Sequence, residues 1–335
     1  MKNRRIETTS ILTITVNRII VDFSKCNILI VGDIMLDKYY FGKVERISPE
    51  APVPIVNIVS EESRLGGASN VANNISSLGG NAFLCGAIGH DLFGKEIERM
   101  GRQKNIRTSF IKTEQPTIAK ARVIGGLQQI VRIDYEQKLR LNERGYQQLK
   151  EHISKLIKEV HLLVISDYGK GFISQEICSF LIQTAQEHHI HVIVDPKGQE
   201  WEKYAGADLI TPNVKELGEI TGKTINNDDR EIEIAGKTIL DRYGLSALLV
   251  TRSEKGMSLI NRQETIHIPT YSQEVFDVSG AGDTVVATLA LTLSAGKDIK
   301  EAMYIANVAA GIVVTKLGTA TVTQEELNKH LGKSC

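Results

Sequence analysis

The sequence predicts an α/β fold, in which a doubly wound, mainly parallel sheet carries helices on both faces and a small β-flap lies beside it. Short apolar runs alternate with segments of helical length from residue 162 onwards, which is typical of a parallel sheet. Two pairs of earlier strands, within about 38–62 and 117–136, do not fit this alternation and predict a lid over the crevice. We therefore expect one domain over 27–335, preceded by an N-terminal extension over 1–26.

The composition is that of a globular protein without a nucleic-acid or membrane partner. Lys and Arg number 40, as do Asp and Glu, so the formal net charge is zero. The cysteines are scattered, which favours a reducing compartment over a disulfide framework or a zinc site: Cys26, Cys85, Cys178 and Cys335. The apolar run over 11–21 is too polar for a signal peptide and too short to span a bilayer. We expect a cytoplasmic protein whose extension could add one strand.

The first half of the chain predicts strand–helix units that are interrupted by the lid strands. Strands are predicted over 27–31, 39–44, 53–59 and 81–87, and helices over 66–78 and 92–103. The linker between the first two lid strands contains Pro49, Pro52 and Pro54, which make it stiff and non-helical. Period-two alternation around Gly125 and Gly126 predicts a hairpin of 118–124 with 129–135.

The second half predicts a regular alternation of strands and helices. The strands are expected over 162–166, 191–195, 209–211, 247–251 and 265–269, and the helices over 175–187, 214–221, 231–243, 285–293 and 299–316. Asp33 follows the first strand of this sheet, and an Asp at the carboxyl end of such a strand points into the ligand crevice. A ligand site is therefore expected at that edge of the sheet.

The segment 277–284 shows the clearest pattern for chemistry. Gly280 and Gly282 flank Ala281 where the strand pattern gives way to a helix, so unpaired N–H groups can form a cradle for an anion. Asp283 lies on that cradle, where a carboxylate would repel an anionic ligand. We interpret it as a proton acceptor. The alternative is a helix N-cap, which is common for Asp at such a boundary.

Two earlier clusters of polar residues also have two interpretations each. Gly66 and Gly67 allow a polyol to approach the backbone while Asn70 hydrogen-bonds its hydroxyl groups, or they simply begin a helix. Asn213 and Glu216 lie one helical turn apart and predict a Mg²⁺–phosphate site in which Glu216 acts through water. The alternative for this second pair is a capping box.

Two other patterns are rejected. The segment 89–95 has the spacing of a P-loop, but Glu96 stands where that motif needs a Ser or Thr hydroxyl. His188, His189 and His191 cannot easily converge on one metal from the end of a helix. No Gly-x-Gly-x-x-Gly follows a strand, which counts against a dinucleotide dehydrogenase.

The order of the three clusters resembles that of the ribokinase-like (PfkB) carbohydrate kinases. Gly66 to Asn70, Asn213 to Glu216 and Asp277 to Asp283 match the motifs of that family, and the resemblance runs from about 27 to 323. The segments 32–39, 46–54, 166–171, 195–198 and 251–257 look like its heptose-phosphate kinase branch. Ser279 departs from the more usual Thr, and the N-terminal extension is longer than the core needs.

The resemblance to that branch implies a reaction. ATP would phosphorylate the anomeric (C1) hydroxyl of D-glycero-β-D-manno-heptose 7-phosphate, an early step towards ADP-heptose for lipopolysaccharide. Some members carry a C-terminal nucleotidyltransferase domain. No His-x-Gly-His is present here, so the chain resembles the single-function form or an isolated kinase half.

The resemblance also implies a role for each motif residue. Asp283 would accept the proton of the attacking hydroxyl, and the amides of Gly280, Ala281 and Gly282 would hold the charge of the transferred group. Glu216 would organise Mg²⁺, and Asp277 would help to bind a monovalent cation such as K⁺. The nucleotide would be lined by Lys197, Asn213, Glu216, Thr251, Ser253, Gly256 and Asn307.

The sugar would occupy the side of the crevice beneath the lid. Its hydroxyl groups would contact Asp33, Gly66, Gly67 and Asn70. Lys120, Arg122 and Lys170 are candidates to bind its phosphate, and each could instead be a solvated charge. The unpaired edges of the lid strands and the resemblance favour a homodimer through the lid.

Two other functions stay open. A kinase of the same family that acts on another sugar, sugar phosphate or nucleoside would keep the fold and Asp283 but change the residues that line the lid. A non-catalytic sugar or nucleotide sensor on the same scaffold is the second alternative. The intact Asp283 and the glycines beside it argue against such a sensor, because a sensor needs no base.

Overall fold

The computed structural model describes residues 21–271 and 274–332, which form two sheets and the helices around them. The N-terminal extension up to residue 20, including most of its expected extra strand, lies outside the described residues, as does Cys335. Among the described residues no helix is both long enough and apolar enough to cross a membrane.

Strands and helices follow one another in the order that the sequence predicts, with several additions. The strands are β1 (Asn27–Gly32), β2 (Ile34–Ile47), β3 (Pro54–Gly67), β4 (Asn81–Gly89), β5 (Arg107–Thr113), β6 (Ile118–Gly125), β7 (Gln128–Tyr135), β8 (Leu162–Ser166), β9 (His191–Asp195), β10 (Leu209–Ile210), β11 (Ala247–Thr251), β12 (Met257–Asn261) and β13 (Thr265–Ile268). The α-helices are α1 (Ala68–Ser77), α2 (Leu92–Gln103), α3 (Glu143–Leu156), α4 (Gln175–Glu187), α5 (Val214–Thr221), α6 (Asp229–Tyr243), α7 (Ala281–Ser294), α8 (Ile299–Val313) and α9 (Gln324–Leu331).

The larger sheet has nine strands in the order β13-β12-β11-β10-β9-β8-β1-β4-β5. Neighbouring strands from β5 to β11 are parallel, and β12 and β13 extend the sheet in antiparallel orientation. The predicted mainly parallel sheet is therefore confirmed. The carboxyl ends of its parallel strands meet at one edge, where an α/β sheet binds its ligands.

Both faces of this sheet are covered by helices. Along β1, Ile28 and Ile30 pack into the core that contains α1, α7 and α8, whereas Leu29 and Val31 pack into the core that contains α3, α4 and α6. Successive side chains of a strand point to opposite faces, so an unbroken apolar run fills both cores. Helix α7 is buried along its length from Asp283 to Thr292, which explains why its sequence is apolar on every side.

The smaller sheet confirms the predicted flap. Its strand order is β3-β2-β6-β7, with β2 antiparallel to β3 and parallel to β6. Strands β2 and β3 are longer than predicted, because they pair with each other all the way from the rim of the crevice to the tip of the lid. Register pairs Asp37 with Arg64 and Lys120, and Tyr39 with Arg122, so these side chains share one face of the lid.

Strands β5 and β12 and helices α3 and α9 were not predicted. Helix α3 has an N-cap, Asn142, and buries Gly145, Leu149 and Ile153 at a spacing of four residues. Both the capping residue and this apolar spacing could have been recognised in the sequence. The helix predicted over 299–316 ends earlier, at Val313, because Val314 accepts backbone hydrogen bonds from Phe276 and Asp277 instead.

Candidate active site

The candidate site is a cavity of about 230 Å³ at the carboxyl ends of the parallel strands, closed by the start of α7. Asp195 and Lys197 reach it from the end of β9, and Asn213 and Glu216 from the start of α5. Gly280, Gly282 and Asp283 complete it from α7. The structure thus brings together residues that lie far apart in the sequence, at the edge of the sheet where a ligand site is expected.

Asp283 is a buried acceptor rather than a helix cap. Helix α7 begins at Ala281, and its N-cap is Gly280 in the left-handed conformation with φ of 79°. The N-cap interpretation of Asp283 is therefore wrong. Its side chain is 4% exposed, and its two carboxylate oxygens accept hydrogen bonds of 2.6 Å from Asn70 Nδ2 and from the hydroxyl of Tyr168.

The surroundings of Asp283 suit a general base. Burial raises the pKa of the carboxyl group from 3.8 to about 6, while the hydrogen bonds from Tyr168 and Asn70 lower it. The charge of Asp37 raises this pKa and that of Lys120 lowers it. A carboxylate with this pKa is ionised at neutral pH and is a stronger proton acceptor than a solvated Asp.

The start of α7 provides the predicted glycine-rich loop. A Cβ on Gly280 would lie 2.9 Å from Asn70 Nδ2, so a larger residue would displace the amide that holds Asp283. Gly282 has open space around it and lines the cavity. The amide of Ala281 donates to the carbonyl of Val278 at 3.2 Å, which leaves Gly280 and Gly282 as the better candidates to hold a phosphoryl group.

Glu216 forms the capping box and also faces the cavity. The side chain of Asn213 accepts from the amide of Glu216, and Glu216 Oε2 accepts from the amide of Asn213. The other oxygen, Oε1, lies 2.8 Å from Lys197 Nζ. The capping-box interpretation is confirmed. It does not exclude the functional one, because the cap itself holds Glu216 at the cavity wall.

The charges around the cavity fit a divalent cation. Burial, followed by the charges of Asp283 and Glu216, raises the pKa of Asp195 well above its usual range. Carboxylates thus outnumber the single lysine there, Lys197. Among the described residues no three metal-ligating side chains form a compact group. Asp195 and Glu216 both line the cavity, and Mg²⁺ binds through one or two carboxylates, water and substrate phosphates.

Asp33 binds the backbone of the loop after β8. It is 1% exposed, and it accepts hydrogen bonds from the backbone amides of Tyr168, Lys170 and Phe172 at 2.8, 3.1 and 3.3 Å. Burial and the charge of Asp167 raise its pKa to about 6. The carboxylate therefore fixes the loop after β8, and contact with a sugar stays a prediction.

Asn70 and the two glycines before it lie beside Asp283. Asn74 Nδ2 contacts the backbone and side-chain oxygens of Asn70 at 3.0 and 3.4 Å, which turns the amide of Asn70 towards Asp283. A Cβ on Gly66 would lie 2.7 Å from Asp37 Oδ2, and one on Gly67 would lie 2.6 Å from the carbonyl oxygen of Asp33. Close packing of β3 on β2 thus accounts for both glycines without a ligand.

The three predicted phosphate ligands differ in their partners. Arg122 Nη1 lies 2.6 Å from Asp37 Oδ1, and Lys170 Nζ lies 2.6 Å from Glu136 Oε2. For Lys120 no ion pair or hydrogen bond is formed with any described residue. Burial and the charge of Lys170 lower its pKa, and the charges of Asp37 and Asp134 on the neighbouring strands oppose this shift.

Of the other predicted nucleotide residues, Thr251 lines this cavity, and Ser253 lines an adjoining one that Asn213 and Thr251 also line. Thr251 forms an isolated bridge with Asn213. Ser253 and Gly256 both have positive φ, and a Cβ on Gly256 would lie 2.1 Å from the carbonyl oxygen of Ile268. Asn307 donates to the carbonyl of Pro269 at 2.7 Å, so its side chain fixes the end of β13.

Asp277 joins two loops. Its carboxylate accepts from the amides of Ser279 and Gly318 at 2.9 and 2.8 Å. Burial alone would raise the pKa of Asp277, and these hydrogen bonds hold it below its usual value. The carboxylate is thus ionised beneath the glycine-rich loop, as a cation ligand must be, and its role as such stays a prediction.

Three residues of the site were not predicted: Asp37, Tyr168 and Asp195. Each lies in a segment that resembles the heptose-phosphate kinases, but none belongs to the three motifs that the whole family shares. Tyr168 and Asp195 carried a usable signal, because each stands at or just after the end of a buried strand.

Comparison with known proteins places these motifs in a family. The profile described as pfkB family carbohydrate kinase matches residues 26–326. The chain is 45% identical over 312 residues to the bifunctional protein HldE of Proteus mirabilis. The aligned region covers 92% of this chain and 65% of that protein. For HldE of Haemophilus influenzae the identity is 44%, with coverage of 92% and 64%. The chain spans just under two thirds of the length of these relatives.

Solved structures share the fold. Phosphofructokinase-2 from Escherichia coli in complex with substrates and products superposes with a TM-score of 0.75 at 20% identity, over 92% of this chain and 99% of that one. Ribokinase of Arabidopsis thaliana, complexed with ribose and ATP, has a TM-score of 0.71 at 19% identity, over 91% and 98%. The predicted ribokinase-like fold is therefore confirmed.

Proposed function

The chain belongs to the pfkB family of carbohydrate kinases, and on this premise we propose that it phosphorylates the C1 hydroxyl of D-glycero-β-D-manno-heptose 7-phosphate with ATP. The product would be the 1,7-bisphosphate, for the synthesis of ADP-heptose and the lipopolysaccharide core. The observation that carries the proposal is the Asp283 carboxylate, which is buried, ionised at neutral pH and held at the head of α7 beside Gly280 and Gly282.

Asp283 would remove the proton from the sugar hydroxyl as that hydroxyl attacks the γ-phosphorus. Its two oxygens keep lone pairs beyond those used by Asn70 and Tyr168, so the hydroxyl can donate to the same carboxylate. The amides at the start of α7, together with the helix dipole, would hold the charge on the phosphoryl oxygens. Positioning and charge neutralisation are what phosphoryl transfer requires of a protein.

Glu216 would hold Mg²⁺ through water, and Lys197 would move from Glu216 towards the phosphates. Mg²⁺, when bound, supplies positive charge to the β- and γ-phosphates. The 2.8 Å pair of Lys197 with Glu216 keeps both side chains at the cavity until ATP enters. Thr251, Ser253, Gly256 and Asn307 would form the nucleotide end of the site through the loops that they shape.

Lys120 would bind the 7-phosphate. Lys120 pairs in register with Asp37 on β2, and the charges of both residues act on the pKa of Asp283, which supports a place for Lys120 near the sugar. Arg122 and Lys170 already have carboxylate partners in Asp37 and Glu136, so they would contribute less. A phosphate would bring two negative charges to a cation that forms no ion pair with a described residue, which favours a phosphorylated sugar over a neutral one.

The reaction can be tested directly. The protein is incubated with Mg·ATP and a panel of sugars and sugar phosphates, and ³¹P NMR locates the new phosphate. We expect the heptose 7-phosphate to give an anomeric phosphate at the highest kcat/KM. Faster transfer to a sugar without a phosphate, or transfer to another carbon, would assign the chain to a different substrate.

The organisation of the chain completes the proposal. We propose a single kinase domain over 27–335 with its lid in 38–62 and 117–136, acting in the cytoplasm as a homodimer. Exposed apolar side chains on the lid, Ile47, Val59 and Val131, favour pairing there because they would otherwise face water. K⁺ would bind near Asp277, which a comparison of activity in KCl and NaCl tests.

A further inference from the structure

The hydroxyl of Tyr168 is the contact of Asp283 that no shared motif accounts for. It donates to Asp283 Oδ1 at 2.6 Å, while Asn70 Nδ2 donates to Oδ2 at the same distance. Tyr168 lies in the loop after β8, and Asn70 lies on α1. The carboxylate is therefore gripped from two sides by groups from different parts of the fold.

The position of Tyr168 is itself fixed. Its backbone amide donates to Asp33 Oδ2 at 2.8 Å, and the amides of Lys170 and Phe172 donate to the same carboxylate. The neighbouring Asp167 accepts a hydrogen bond from Gly169 and contacts the buried Lys203. The backbone of the loop is thus fixed by Asp33, which lies after β1, and by the loop's own Asp167, so the point from which the phenol extends is anchored.

The direction of this hydrogen bond is also fixed. Burial, and then the charge of Asp283, raise the pKa of Tyr168 well above its usual value, so the phenol stays protonated. The phenol therefore donates its proton to the ionised carboxylate. A donor to an ionised carboxylate favours the ionised form.

We propose that Tyr168 is a positioning residue for the phosphoryl transfer, whose hydroxyl keeps the Asp283 carboxylate oriented and ionised for proton abstraction. This inference rests on the proposed function of Asp283 as the base. Without the hydroxyl, Asn70 would be the one hydrogen-bonding side chain left to lower the pKa of Asp283 against the effect of burial. Asp283 would then be protonated over more of the working pH range and would rotate more freely.

Other titratable groups act on Asp283 and stay unchanged in the test. They are Asp37 on β2, Lys120 on β6 and Asp195 on β9. Tyr168→Phe removes only the hydroxyl and keeps the ring. Tyr204→Phe is the matched control, because the Tyr204 hydroxyl bonds to Asp167 and to the amide of Lys197 in the same region but does not contact Asp283.

Two measurements on the full chain test the inference. The first follows the carboxyl ¹³C resonance of Asp283 with pH in protein labelled at the aspartate side chains, with Asp283→Asn identifying the resonance. The second is the pH profile of kcat/KM with Mg·ATP and the sugar phosphate that the substrate panel selects. We expect Tyr168→Phe to raise the titration midpoint and the acid limb of the profile by about one pH unit, and Tyr204→Phe to move neither.

The outcomes separate this inference from the proposed function. An unshifted midpoint in Tyr168→Phe, with Asp283→Asn inactive, would overturn the role of Tyr168 and leave the base in place. An equal fall in activity at every pH would overturn it as well, because a purely structural role predicts that result. If Asp283→Asn kept its activity, the assignment of the base itself would fail.

Discussion

Replacement of Asp283 by Asn is expected to abolish turnover and, at the same time, to stabilise the fold. Turnover should fall by about two to four orders of magnitude, because the amide cannot accept the proton. Stability should rise because the wild-type protein keeps a charged carboxylate at a buried position. A residue that costs stability and is needed for activity is typical of a catalytic site.

The magnitude follows from the pKa. Folding raises the pKa of Asp283 from 3.8 to about 6, so the folded state binds the proton more tightly and loses stability as the pH rises through this window. A shift of about two units corresponds to about 3 kcal/mol at pH 8 and about 1.5 kcal/mol at pH 5. The amide can keep both contacts, since its oxygen accepts from Asn70 and its NH₂ group donates to Tyr168. We therefore expect a gain of about 1–3 kcal/mol at pH 8.

Asp33→Asn is an informative control because burial raises the pKa of Asp33 to the same value of about 6. Its carboxylate, however, accepts from three backbone amides, and an Asn side chain would turn its NH₂ group towards at least one of them. An unsatisfied buried donor costs about 1–3 kcal/mol, so this variant should be less stable or unchanged. Asp241→Asn, on the exposed side of α6, should change stability by less than about 0.5 kcal/mol.

The assay is denaturant unfolding of the wild type and the three variants at pH 8 and at pH 5. The gain of Asp283→Asn should be about halved at pH 5, where the wild-type carboxyl is mostly protonated in the folded state. A loss of stability in Asp283→Asn at both pH values, or a gain that does not depend on pH, would refute the reasoning. The first result would mean that the hydrogen bonds outweigh burial, and the second that the charge plays no part.

Three further predictions test other parts of the site. Lys120→Met should raise the KM for the sugar phosphate about 10- to 100-fold without changing the KM for ATP. Arg132 is paired with Asp134, so Arg132→Met should change neither KM by more than about twofold. Glu216→Gln should raise the Mg²⁺ concentration for half-maximal activity about tenfold, and Glu219→Gln, one turn along α5, should leave it unchanged. Gly256→Ala should destabilise the fold by more than about 1 kcal/mol in unfolding experiments, because φ is 80° and the Cβ would meet a carbonyl oxygen.

Local patterns in the sequence predicted most of the fold. The helix over 92–103 and the strands over 162–166 and 191–195 have the predicted bounds, because their hydrophobic periodicity and flanking residues all agree. The lengths of β2 and β3 were not predictable in this way. Their outer halves are exposed and polar, and pairing with each other makes them strands.

In the candidate site, too, local patterns predicted some features and missed others. Asp283 and Asn70 could be singled out because glycines precede a polar side chain where a helix begins. Glu216 could be singled out because it lies one helical turn after Asn213 at the start of a helix. Which group contacts which could not be read from the sequence, since Asn70 and Asp283 are 213 residues apart. Lys120 could not be distinguished from Arg122, because the difference lies in Asp37 on the neighbouring strand.

Asp33 shows why two interpretations of one residue need not compete. Its place at the end of β1 was predicted from the rule that ligands bind at the carboxyl edge of a parallel sheet. The structure uses that place to fix the loop carrying Tyr168, and Tyr168 contacts Asp283. A residue can therefore stand at the correct edge of the sheet and still serve the site through a neighbour. Capping by Asn213 does the same for Glu216, since the local contact is what delivers the side chain to the cavity.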